Sequence, residues 1–180
     1  MPRILPLPPD FESDEVRSVF DRIRDRGDQP SPLYRTLAHA PRMLEAWANL
    51  AWPLRSQASV GRDLRELMIM RLAQINQAAY QWAYHWQPAV ASGLTEDKFL
   101  ALSDWRNESV FDERERAVLT YAEQISEQAV GDESFVAMSR LFSAPELIEL
   151  TLTASFYCCV GRVLQALQVD VDTAHERFLP

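Results

Sequence analysis

The 180-residue chain is poor in cysteine, glycine and lysine, with two, five and one of them respectively. Cys158 and Cys159 are adjacent inside an apolar stretch. That arrangement is neither a disulfide framework nor a CxxC redox or zinc pattern, and it fits a reducing compartment. The only lysine, Lys98, lies among helix-start residues of a surface segment, which argues against Schiff-base chemistry. Val/Ile/Thr alternation is nearly absent, whereas apolar residues recur at spacings of three and four, so an all-α chain is expected. No run approaches the ~18 consecutive apolar residues of a membrane span. The opening MPRILPLPPDFESDE is rich in proline and then acidic, where a signal peptide needs a basic region and a long apolar core. A cytoplasmic protein is therefore expected.

Acidic residues are abundant. The 26 Asp and Glu outweigh 18 Lys and Arg, and the net charge of -8 repels a phosphate backbone and anionic lipid. Neither nucleic acid nor membrane is expected as a partner. With 47% hydrophobic residues, a chain of this length can bury its own core without disulfide, metal or cofactor.

Four prolines between Pro2 and Pro9 remove amide donors, so residues 1–11 are expected to form an extended arm lying on a neighbour's surface. Residues 12–180 then form a single helical domain. Ser13 opens a first helix that Arg26-Gly27 ends, and Ser31-Pro32 and Ala40-Pro41 start helices near 32–39 and 41–55. A long helical region runs from Arg62 to Ser92 and stops at Gly93. Further helices are expected from Thr95 to about Leu102, from Asp112 to Gln128, from Asp132 to Phe142 and from Ala144 to Val169. The last is apolar nearly all round, which suits the centre of a core or an oligomer interface.

Chemistry concentrates in LRELMIMRLAQINQAAYQWAYHW, residues 64–86, where Glu66, Arg71, Gln74, Gln81 and His85 interrupt large apolar and aromatic groups. Polar groups in such surroundings need partners or a cavity. Gln81 and His85, four apart, share a helix face. On one straight helix Glu66 would stand about 28 Å from His85, so the two can cooperate only across a break or between subunits. Asn76-Gln77 is the natural break, because asparagine tolerates left-handed geometry and its side chain competes with the helical bonds.

The spacing of Glu66, Ala78, Gln81 and His85 resembles the signature of the carboxymuconolactone decarboxylase and AhpD-like alkylhydroperoxidase superfamily, in which Glu, Cys, Cys and His hold those places. AAYQWAYHW is similar to the motif of a cysteine-free branch. Ser92-Gly93-Leu94-Thr95-Glu96-Asp97, Phe111 to Leu119 and Glu146 to Arg162 resemble the later segments, so the likeness covers roughly residues 12–170. It implies an AhpD-like helical fold built into a homo-oligomer, and a site containing the motif histidine.

What it implies of activity depends on the departures at Ala78 and Gln81, since neither residue can supply the electrons of a thiol peroxidase. The expected enzyme is instead a cofactor-free, decarboxylase-like lyase acting on a small organic acid or lactone. His85 would move the proton, Glu66 orient it, and Gln81 with Tyr80 or Tyr84 donate to a developing oxyanion. Trp82 and Arg71 join Tyr80 and Tyr84 as candidate substrate-binding residues. For the aromatics the alternative is core packing, and for Arg71 it is an ion pair with an acid. A non-catalytic oligomer that binds a small hydrophobic ligand would use the same aromatics. No metal site is expected, because His39 and His175 have no ligand spacing with His85, and Glu146 and Glu149 lack the histidine of a Glu-x-x-His motif. On a helix the two cysteines point about 100° apart, and a buried thiol acting as a small apolar group is expected. The purified protein should therefore show no lipoyl- or thiol-dependent hydroperoxide consumption. Robust turnover that disappears in Cys158→Ser would overturn this expectation.

Overall fold

Proline and reciprocal side-chain caps mark where the helices begin. The structure, a computed structural model, describes residues 1–11 and 13–180. Its helices are α1 (Asp14–Arg24), α2 (Pro32–Leu37), α3 (Pro41–Ser56), α4 (Arg62–Ile75), α5 (Ala79–Ala91), α6 (Glu96–Ala101), α7 (Glu113–Glu127), α8 (Asp132–Leu141) and α9 (Ala144–Leu167). Single 3-10 turns span Leu102–Asp104 and Glu176–Phe178, and no strand occurs among the described residues. Pro32 and Pro41 occupy first-turn positions, where a missing N–H costs no bond. Asp112 and Glu115 cap each other's backbone N–H at 2.9 and 3.0 Å to start α7. The Glu146 carboxylate accepts from both the N–H and the hydroxyl of Ser143 before α9.

The proline-rich arm makes contacts with its own chain. Arg3 donates to the carbonyls of Leu167 and Ala166 at the end of α9, and Leu7 exchanges bonds with Arg35 of α2. The boundary expected at Glu12 lies outside the described residues.

The core is built around α4, which packs against α5, α7 and α9. Met68 and Leu72 of α4 meet Val118 and Ala122 of α7 and Leu150, Ala154 and Tyr157 of α9 in the principal apolar cluster. Leu67 and Met70 face a second cluster with Trp82, Phe99 and Trp105. Because α4 is covered on every side, its polar residues are buried too. Arg65 spends its guanidinium on the carbonyls of Leu54, Arg55 and Val60, tying the end of α3 to α4. Glu149 accepts from the Ser59 and Val60 N–H groups in the intervening loop.

By length and composition α9 could cross a membrane, with a mean hydropathy of 1.4 over an 18-residue window, which the absence of a long uninterrupted apolar run did not reveal. Of that window 56% is buried inside the protein, where the helix forms one wall of the core.

Arg71 points from α4 toward α7, and its charge is satisfied there. Its Nε and Nη2 lie 2.8 and 2.6 Å from Glu123, and its Nη1 donates to Gln74 and the Leu102 carbonyl. Trp105 and Arg106 donate to the same Glu123 carboxylate. Burial alone would raise the Glu123 carboxyl, but these donors hold it below its ordinary value. The substrate-binding role expected of Arg71 is thus replaced by an ion pair within the chain. Glu123→Ala strands the buried or part-buried donors of Trp105 and Arg71 and frees the exposed Arg106, and urea denaturation should show a loss of about 3–5 kcal/mol. A loss under about 1 kcal/mol would show that the cluster contributes little.

Candidate functional site

The site begins with a reversal of the chain. Helix α4 ends at Ile75, Gln77 adopts a left-handed conformation with φ 51°, and α5 starts at Ala79. The Ala78 N–H returns to the Ala73 carbonyl at 2.8 Å and closes the turn. The break falls where the sequence places it, although Gln77 takes the positive φ while Asn76 keeps φ -87°. A left-handed glutamine costs about 1–2 kcal/mol, which the packing of two covered helices offsets.

Folding back brings residues 19 apart into contact. The His85 Nδ1 lies 2.7 Å from Glu66 Oε2, and both side chains are buried, at 7% and 4% exposure. Half-exposed Arg62 holds the other carboxylate oxygen at 3.4 Å. Burial alone would push the Glu66 carboxyl up, but His85 and then Arg62 keep it below the ordinary value of 4.5. An ionised carboxylate can only accept, so Nδ1 carries the proton and donates it to Glu66. The other ring nitrogen, Nε2, has no hydrogen-bond partner among the described residues. It is the atom free to take or give a proton.

Gln81 sits one turn before His85 and is almost fully buried, and its amide N–H donates to the Ile69 carbonyl at 3.0 Å. Its Oε1 is buried without a partner. One of its two amide N–H donors is therefore committed to α4, and the acceptor Oε1 is left open.

Other expected binding groups are engaged elsewhere. The Tyr80 hydroxyl accepts from the Leu33 N–H at 3.2 Å. Tyr84 donates to Asp172 at 2.5 Å, and its ring stacks between Tyr80 and His175. Trp82 packs on Phe99 and Trp86 in the second apolar cluster. These three side chains fix α5 to α2, to α6 and to the C-terminal segment, so packing accounts for them.

The groups that do surround the pair come from distant parts of the chain. Tyr157 of α9 is fully buried, and its ring meets His85 edge to face, with centroids 4.8 Å apart. Its hydroxyl accepts from Arg55 Nε, at the end of α3, at 3.1 Å. Nothing local marked either residue, since Tyr157 reads as one more aromatic in an apolar helix and Arg55 as an ordinary last-turn charge. One turn of α9 further on, a Cβ at Gly161 would meet Ala78 and Gln81 at ordinary van der Waals distance.

Cys158 is buried and burial raises its thiol, while Cys159 is exposed. Among the described residues no group of three or more His, Cys, Asp or Glu side chains could hold a metal ion. Cavities of about 220 and 420 Å³ lie along α1 and at the start of α3, away from the pair.

The model of the carboxymuconolactone decarboxylase family matches residues 41–124, which include both Glu66 and His85. The uncharacterised protein YnjA of Escherichia coli strain K12 is 28% identical over 125 residues, 68% of this chain and 69% of its own. Among solved structures, the AhpD core of a peroxidase-related protein from Ralstonia eutropha JMP134 superimposes with a TM-score of 0.80 at 17% identity, covering 96% of this chain and 94% of that one. The debrominase Bmp8 also gives a TM-score of 0.80, at 18% identity and over 97% of this chain and 95% of its own. A cysteine-to-alanine variant of Bmp8 has been solved with 2,3,4-tribromopyrrole. The chain is thus similar to the carboxymuconolactone decarboxylase family over residues 41–124 and shares the fold of AhpD-like proteins.

The position of Glu66 has a consequence for acid stability. Its lowered value means that its contribution is fully present above pH ~4.5 and is lost as pH falls through the lower folded-state value. Glu66→Gln should therefore lose less stability than the wild type between about pH 5 and pH 3 in denaturant titrations. Parallel acid limbs in the two proteins would contradict the shift.

Proposed function

We propose that the chain is a cofactor-free enzyme in which Glu66 and His85 carry out general acid–base chemistry on a small carboxylated or lactone-like compound. The observation that carries this reading is the buried Glu66–His85 contact, which fixes the tautomer and leaves Nε2 without a partner among the described residues. With Nδ1 bonded to the Glu66 carboxylate, proton exchange is confined to Nε2, so His85 suits a proton donor and acceptor alike. In a decarboxylation, the bond to the carboxylate breaks, carbon dioxide leaves, and the electron pair passes into an adjacent conjugated carbonyl. The imidazolium then gives its Nε2 proton to carbon and regains one from solvent. No metal is needed where the substrate is its own electron sink.

The family supports an enzymatic role, and the debrominase neighbour supports a small ring compound as the kind of molecule this fold receives. We assign the protein to the cytoplasm and to a homo-oligomer, the latter because Ile148, Leu152 and Cys159 leave one face of α9 exposed. Small organic molecules and further copies of the chain are the proposed partners.

A second reading rests on the 7% exposure of His85: the pair is a buried clamp between α4 and α5, in a protein that binds a ligand without turning it over. One set of variants separates the two. Carboxylated lactones and enol acids are screened for carbon dioxide release, and the responsive compound is tested on variants that retain their fold by circular dichroism. His85→Ala should lower kcat/KM by about 10²–10⁴-fold, and Glu66→Gln by a smaller factor. Turnover that is unchanged in His85→Ala would overturn the acid–base role and leave the clamp.

A further inference from the structure

The tyrosines and arginines around the Glu66–His85 pair have more donors than acceptors. Tyr157 accepts the Arg55 Nε–H, so its own hydroxyl proton points elsewhere, and no acceptor for it occurs among the described residues. Tyr34, 5% exposed, has a buried hydroxyl with no partner among the described residues. It lies within electrostatic range of both Arg55 and Tyr157. The Arg55 residue is exposed, and its two Nη groups are unpaired among the described residues. A buried hydroxyl left without a partner is costly, so the bare Tyr34 hydroxyl and the unassigned Tyr157 proton beside an open guanidinium call for an explanation.

The local charge points the same way. The chain carries -8 overall, yet Arg55, Arg62 and Arg65 all act on Glu66. Glu149 faces Arg65 but is spent on the Ser59 and Val60 N–H groups. Arg65 in turn is spent on backbone carbonyls and Arg62 on Glu66. Arg55 thus keeps an unassigned positive charge that solvent can reach, next to the ring that packs on His85.

We propose that Arg55, Tyr157 and Tyr34 form an oxyanion-binding site for the substrate, with the guanidinium taking a carboxylate or enolate oxygen and the two phenols donating to it. This deepens the acid–base reading, on which it rests, and it moves the oxyanion donors from Gln81, Tyr80 and Tyr84 to α2, α3 and α9. Arg55 enters from the exposed side and supplies the charge that draws the anion in.

The test uses benzoate, acetate and the neutral isostere benzamide, titrated into the full-length protein while the His85 ring and the labelled tyrosine rings are followed by NMR. Benzoate should shift His85 and Tyr157 saturably, and benzamide should bind at least about tenfold more weakly. Arg55→Gln should weaken benzoate about tenfold or more, Arg55→Lys should restore much of that loss, and Tyr157→Phe or Tyr34→Phe should each weaken it by roughly threefold to tenfold. Equal benzoate affinity in wild type and Arg55→Gln overturns the site and leaves the acid–base reading standing. Failure of both anions to move His85, or equal binding of benzamide, also overturns it. Anion binding that survives in a His85→Ala protein without turnover supports the site independently of the proton chemistry.

Discussion

The reversal at Gln77 is the constraint on which the rest of the structure turns. A single left-handed residue lets α4 and α5 run antiparallel, and only then can a carboxylate and an imidazole 19 residues apart share a hydrogen bond. The remaining helices cover this pair of segments. Helix α9 lays Tyr157 and Gly161 across them, α7 closes the opposite face of α4, and the C-terminal segment stacks His175 on Tyr84.

A helix buried on all sides must dispose of every charge it carries, and α4 does so by directing them to different neighbours. Arg65 secures the end of α3, Glu66 faces α5, and Arg71 faces α7. Each of these assignments joins α4 to a separate part of the chain. Removing an acid therefore costs more than one interaction, because each carboxylate collects several donors whose desolvation would otherwise be uncompensated.

Much of this order was legible in the sequence for local reasons. Caps and prolines act within one turn, so Pro32, Pro41, Asp112 and Ser143 announce their helices directly. The Glu66–His85 contact could be read because helix geometry excludes it on a straight helix and allows it across a turn. The actual neighbours of the pair were not legible. Tyr157 and Arg55 are 102 residues apart and their contact depends on how α9 crosses α3, a tertiary fact with no local signature. The tyrosines of α5 lie within five residues of His85 in sequence, yet neither shares its helix face, and both hydroxyls bond to other elements.

The arm at the amino terminus bears on the order of folding. Its bond from Arg3 to α9 joins residues separated by 163 positions, so it closes a loop that contains nearly the whole chain. Loop-closure entropy rises with length, and such a contact returns nothing until the helices between are in place. The arm is thus a late addition in assembly: its bonds retard unfolding and have little leverage on the rate of folding.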